Sequence, residues 1–203
     1  MVVKKLLIIA CLLVFQQSST PKTILFFGDS LTAGYGLSPE EAFPALVEKA
    51  LIKKGKAVKV TNAGLSGETS AGGLARIDWI LRAPVDVFIL ELGANDGLRG
   101  LPLEQTRKNL QAIIDKVKTK YPKVKIVVTG MMVPPNLGKA YTNEFQKIFP
   151  DLAKKNNATL IPFLLQDVGG IEKLNQADGI HPNIEGHKIV ANNVLKVVEP
   201  LLN

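Results

Sequence analysis

The chain reads as an α/β protein built on a parallel sheet of five strands with helices on both faces. Three observations carry that reading. Five apolar runs rich in Val, Ile, Leu and Phe are nearly continuous rather than alternating, the pattern of strands covered on both faces. Longer segments with helical spacing stand between them, and repeated β-α order implies parallel pairing. The length of 203 residues, with 46% hydrophobic and 21% charged, fits one core of ordinary size and is far from disordered or collagen-like compositions.

Residues 1–19 read differently from the rest. Lys4 and Lys5 precede an apolar run from Leu6 to Phe15, and Gln16 to Thr20 is small and polar. This is the layout of a secretory signal peptide, with an apolar stretch too short to span a bilayer. A buried first strand or helix is the competing account, which the lysine flank disfavours. Ile8-Ile9-Ala10-Cys11 bears a faint likeness to a lipoprotein cleavage site, but only five apolar residues precede the cysteine. Cys11 is the only cysteine, so an exported mature chain uses no disulfide. Periplasmic or secreted localisation is expected, with no stable membrane insertion after signal removal and one folded domain over residues 22–203.

Beyond residue 22 the expected strands are Thr23–Phe27, Ala57–Asn62, Val85–Leu92, Lys125–Gly130 and Thr159–Phe163. The expected helices are Pro39–Lys54, Glu68–Leu81, Leu103–Lys120, Tyr141–Asn156 and Glu185–Leu201. Ser38-Pro39-Glu40-Glu41 supplies a capping serine, a first-position proline and first-turn acids for the first of these. In open α/β sheets ligands bind beyond the carboxyl ends of the strands. That directs attention to Gly28–Gly36, Ala63–Gly67, Gly93–Gly97 and the polar segment Asp178–His187. The net charge of +7 falls to about +5 without Lys4 and Lys5. The remaining lysines are dispersed without interleaved aromatics, which argues against a nucleic-acid partner.

Ser30 follows the first strand in Gly28-Asp29-Ser30-Leu31, where a strand-to-helix turn would expose its hydroxyl and its own N–H to one space. Gly28 is expected to permit a sharp turn. A helix cap or a phosphate-binding nest of the kind a nucleotide- or flavin-binding module uses explains the same four residues. A serine nucleophile needs a base, and the chain has two histidines, His181 and His187. Asp178-Gly179-Ile180-His181 places a carboxylate where it can reach the nearer ring nitrogen. His187 falls in the last helical pattern and reads as a packing or surface residue. Asn95 can offer a side-chain amide and Gly67 an unobstructed backbone N–H to a developing oxyanion, an effect of roughly 3–4 kcal/mol per donor. Taken alone, each reads more readily as an ordinary residue, Asn95 of a left-handed turn and Gly67 of a helix entry.

In order and wording, these four loops resemble the sequence blocks of the SGNH hydrolases, or GDSL esterase/lipase family. The likeness runs from about Ile24 to Leu202 and is closer still to the bacterial periplasmic thioesterase/lysophospholipase branch, also described as arylesterase-like. It includes Asn62-Ala63-Gly64-Leu65-Ser66-Gly67-Glu68-Thr69, Leu90-Glu91-Leu92-Gly93-Ala94-Asn95-Asp96-Gly97-Leu98-Arg99-Gly100 and Asp178-Gly179-Ile180-His181-Pro182-Asn183. The resemblance implies a flavodoxin-like three-layer α/β/α fold and hydrolysis of acyl esters or thioesters without metal or cofactor. By the same resemblance Ser30 is the nucleophile, His181 the base and Asp178 its partner, with Ser30, Gly67 and Asn95 as the oxyanion hole. Gly64 stands where that branch often has serine, which would loosen the loop. Leu98–Leu103 matches a mobile loop beside the acyl site, so Leu98, Arg99 and Leu101 are expected to contact substrate, with Val133 and Pro134 in Met131–Pro135 as the opposite wall; buried packing accounts equally well for Met131 and Met132.

A small acyl ester or lipid substrate fits every block. A carbohydrate O-acetyl esterase uses the same blocks, but 6% aromatics and one Trp, Trp79 in a helix, give little sugar platform. A binding module leaves Asn95, Asp178 and His181 unexplained.

Overall fold

A computed structural model describes residues 20–202; the expected signal peptide and Cys11 lie outside the described residues. Five strands form one parallel sheet in the order β2-β1-β3-β4-β5: β1 Lys22–Gly28, β2 Val58–Gly64, β3 Val87–Glu91, β4 Lys125–Thr129 and β5 Thr159–Ile161. This is the flavodoxin-like order. The chain leaves β1 for β2 on one side and returns to β3 on the other, so the crevice between the loops after β1 and β3 is the topological switch point.

Seven α-helices lie among the described residues: α1 Ser30–Ala33, α2 Phe43–Lys53, α3 Ser70–Ile80, α4 Ala94–Leu98, α5 Leu103–Lys120, α6 Lys139–Asn156 and α7 Ile184–Val198. Helices α2 and α7 pack together, as do α3 with α5 and α5 with α6. Right-handed crossovers in opposite directions put these groups on opposite faces, which gives the three layers. Phe26, Phe27, Phe88, Ile89, Leu90 and Val127 of the sheet are fully buried in the core between them.

Several boundaries depart from expectation for identifiable reasons. Helix α2 begins at Phe43, not Pro39, because the Ser38 N–H and hydroxyl both bond the Glu41 carboxylate in a separate turn. Pro44, in the first turn of α2, is the true start signal. Strand β5 stops at Ile161, ahead of Pro162, which has no N–H to give a ladder. Helix α3 starts after Thr69, whose side chain accepts from Gly72 N. The last helix ends at Val198 and tightens into a 3-10 turn around Pro200.

Register then positions the chemistry. Gly28 pairs laterally with Gly64 on one side and Glu91 on the other, so three loops leave the same edge of the sheet side by side. Gly64 does not loosen its loop: a Cβ there would stand 2.2 Å from Ala33 N, so glycine is what lets α1 close against β2. Among the described residues no helix is long and apolar enough to cross a membrane.

Candidate active site

Asp29 caps α1, its Oδ1 accepting from Leu31 N at 3.0 Å, and leaves Ser30 as the first helical residue. At that position the Ser30 N–H has no intrahelical acceptor. Gly28 has no positive φ; a Cβ there would meet Thr32 Oγ1 at 2.2 Å and Glu91 Oε2 at 2.3 Å. Its role is close packing rather than the sharp turn expected.

His181 arrives from the far end of the chain. Its Nε2 lies 2.8 Å from Ser30 Oγ and its Nδ1 2.7 Å from Asp178 Oδ2. The His181 backbone N–H, the His181 ring and the Ile180 N–H all bond the Asp178 carboxyl, the first most strongly, and hold its pKa down to about 2. An ionised Asp178 can only accept, so Nδ1 carries the proton and Nε2 accepts from the serine hydroxyl. Gly179, at φ +71°, makes the turn that brings acid and imidazole together. Gln176 fixes this loop, with its N–H on His181 O and its amide on Tyr35 O and Pro182 O. Asn183 caps α7 through Gly186 N. The Tyr35 ring rests 4.7 Å from the His181 ring.

Ser30, Gly67 and Asn95 stand on three adjacent loops and line one cavity. Gly67 takes φ +79° and adds no side chain. Asn95 Nδ2 donates to Asp29 Oδ2 and to Glu68 O, each at 3.1 Å, so both of its hydrogens are already engaged. Arg76 of α3 ties the loops to each other. It pairs with the Glu68 carboxylate, donates to Ala63 O at 2.8 Å and Gly28 O at 3.4 Å, and lies over the Phe27 ring.

These groups open on a cavity of about 540 Å³. Leu98, Val133 and Pro134 line it, with Met131 and Met132. Arg99 and Leu101 do not: Arg99 turns to Gly67 O at 2.9 Å, and Leu101 offers its carbonyl to Tyr141 OH. Tyr35, Phe163, Leu165 and Ile180 also line the cavity, unforeseen from sequence. The loop after the fifth strand was the available signal for two of them, since it leaves the same sheet edge.

Two buried carboxyls lie beneath the serine. Burial raises Asp29 to about 6 against the opposing bond from Leu31 N, and burial together with the Asp29 charge pushes Glu91 well above the carboxylate range. His187 is elsewhere: it is buried against Phe43, whose N–H donates to its Nδ1 at 3.1 Å, and burial lowers its pKa to about 4. Among the described residues, no group of three or more His, Cys, Asp and Glu side chains forms a metal-binding cluster.

Comparison with known proteins gives the same picture from sequence and from shape. The model of the GDSL-like Lipase/Acylhydrolase family matches residues 26–189. Esterase TesA of Pseudomonas aeruginosa is 36% identical over 98% of this chain and 100% of its own length. Thioesterase 1/protease 1/lysophospholipase L1 of Escherichia coli is 37% identical over 95% of this chain and 90% of its own. The solved structure of the psychrotrophic esterase EstA from Pseudoalteromonas sp., inhibited by monoethylphosphonate, superposes with a TM-score of 0.84 at 33% identity, covering 90% of this chain and 99% of that one. With its sheet order, its four loops and these relatives in agreement, the chain belongs to the GDSL-like lipase/acylhydrolase family and is an ester hydrolase within it.

Proposed function

We propose that the chain hydrolyses acyl esters and thioesters, of the lysophospholipid, acyl-thioester or aryl-ester class, through a covalent acyl-serine on Ser30. One observation carries the reading: the His181 imidazole sits between Ser30 Oγ at 2.8 Å and Asp178 Oδ2 at 2.7 Å. In the first half-reaction Ser30 Oγ attacks the substrate carbonyl carbon, its proton passes to His181 Nε2, and the carbonyl electron pair moves onto oxygen. Collapse of that intermediate breaks the bond to the alcohol or thiol, which leaves with the Nε2 proton. Water then gives a proton to Nε2 and attacks the acyl carbon, and Ser30 leaves with that proton. Asp178 stabilises the imidazolium in both halves.

The developing oxyanion meets Ser30 N, Gly67 N and Asn95 Nδ2. Both hydrogens of that amide are bonded in the free site, to Asp29 Oδ2 and Glu68 O, so the oxyanion takes one of them in exchange for a bond already made. Leu98, Met131, Met132, Phe163 and Leu165 make the walls apolar, which favours acyl chains over acetylated sugars. The leader-like pattern of residues 1–19 supports export to the periplasm or beyond.

Replacing Ser30 by Ala tests the assignment. Activity on p-nitrophenyl esters and acyl-thioesters should fall by roughly 10³-fold or more while circular dichroism stays unchanged. A fluorophosphonate should add one adduct to the wild-type chain, on the Ser30 peptide. Full activity in the variant, or an adduct elsewhere, removes the proposal.

A further inference from the structure

Glu91, the last residue of β3, is fully buried directly beneath the turn that carries Ser30, yet no step of the acyl-serine reaction uses it. One of its oxygens, Oε2, accepts from Asp29 N at 3.1 Å and from Thr32 Oγ1 at 2.7 Å. The residue before the serine and the residue two after it therefore hang from a single atom. That atom occupies the space Gly28 leaves by having no side chain, since a Cβ on Gly28 would stand 2.3 Å from it. The second oxygen, Oε1, is buried with no hydrogen-bond partner among the described residues.

A carboxylate spreads its charge over two oxygens and needs donors at both. This site gives two donors to one oxygen and none to the other, and it sets a second buried carboxyl, Asp29, alongside. We propose that Glu91 works as an un-ionised acid, a positioning residue that suspends the nucleophile's turn from β3. This rests on Ser30 being the nucleophile. It agrees with the direction of the two shifts: burial and the neighbouring Asp29 charge push the Glu91 carboxyl well above the usual carboxylate range, while burial raises Asp29 only to about 6.

The groups facing Glu91 bear this out element by element. From the β1–α1 turn comes Asp29, whose other contacts are Leu31 N and the Asn95 amide. From α1 comes Thr32, and from β4 comes Thr129, which bonds Leu90 O; both are uncharged. The Arg76 guanidinium of α3 is bonded to the Glu68 carboxylate and to the Gly28 and Ala63 carbonyls. His181 bears on Asp29 rather than on Glu91. Asp29 is thus the charge that matters. If Glu91 ionised, two carboxylates would repel across the turn, and the acceptor that holds Asn95 would move with Asp29.

The test is a substitution series read in two ways. Glu91→Gln is neutral and isosteric, and its carbonyl can accept both bonds; kcat and KM at neutral pH should stay close to wild type. Any alkaline decline of kcat that wild type shows from Glu91 ionisation should be absent in this variant. Glu91→Ala leaves the turn unsupported and should cost about 100-fold in kcat, the effect of a misplacement near 1 Å, with little change in KM because Glu91 does not line the acyl cavity. Infrared spectroscopy supplies the second reading without needing the alanine variant to fold. In mildly alkaline buffer wild type should show the C=O band of a protonated carboxyl, and Glu91→Gln should lack it. A folded Glu91→Gln as inactive as Glu91→Ala, a folded Glu91→Ala with wild-type kcat, or no such band in wild type overturns the proposal. Failure of the Ser30 assignment would instead appear as activity surviving Ser30→Ala, whatever the Glu91 series does.

Discussion

At Gly28 the space for a side chain is already filled by Thr32 and Glu91. Gly28→Ala must push the Ser30 turn outward, and we expect kcat to fall by about 100-fold with a lowered melting temperature; steady-state kinetics and a thermal scan check both. His187 shows a different kind of tension. It is neutral in the fold to about pH 4, whereas an unfolded histidine binds a proton below about pH 6.5. The unfolded chain therefore holds more protons between those values, and stability falls as pH falls through that window, by roughly 3 kcal/mol in all. In urea melts at pH 7 and pH 4.5, His187→Gln should be less acid-sensitive than wild type, with its neutral-pH activity largely kept. Equal acid sensitivity in the two would put the effect elsewhere. Ser30, Asp178 and His181 were singled out from short local patterns, whereas Asn95 and Gly67, ordinary turn or helix-entry residues when taken alone, were picked out only by the joint order of the four loops. Glu91 was not singled out, although a carboxylate closing an apolar strand run was a visible anomaly.

Among the elements, α3 does more than cover the sheet. Through Arg76 it binds the carbonyl ends of β1 and β2 and the Glu68 carboxylate, and Glu68 O is one of the two acceptors holding Asn95. Arg76→Gln should accordingly lower kcat on ester substrates by about 10-fold or more with KM little changed, because a loosened donor weakens transition-state binding before ground-state binding. A rise in KM alone would place Arg76 in substrate binding. The long helices and the strands were readable from periodicity to within a few residues, and α5 was read at its observed bounds. Helices α1 and α4 were not, because four or five residues make too little periodicity to register. The start of α2 was misplaced because Ser38 and Glu41, good capping residues, cap a turn instead.

The molecule as a whole builds the cavity beside Ser30 from the loops after all five strands and from the His181 segment. A hydrophobic channel of that origin should show its length in kinetics. Log kcat/KM for p-nitrophenyl esters should rise over several acyl carbons, by up to about 0.8 kcal/mol per buried methylene, and then level. A steep fall from acetyl onward, with good cleavage of acetylated sugars, would replace the acyl-chain reading by the carbohydrate one. The layered α/β architecture was legible from element order alone, whereas Tyr35, Phe163, Leu165 and Ile180 join the cavity only through tertiary closure, which no local pattern records.

The 2.8 Å contact between Ser30 and His181 spans 151 positions of sequence. The serine's turn is local in sequence, whereas its contact with His181 waits for the segment after β5 to arrive. A fluorophosphonate pulse given during refolding should therefore lag the recovery of helical circular dichroism and coincide with the burial of the core. In that use Ser30, as the proposed nucleophile, becomes a clock for chain closure, and labelling in step with helix formation would show that the two ends meet before the sheet is complete.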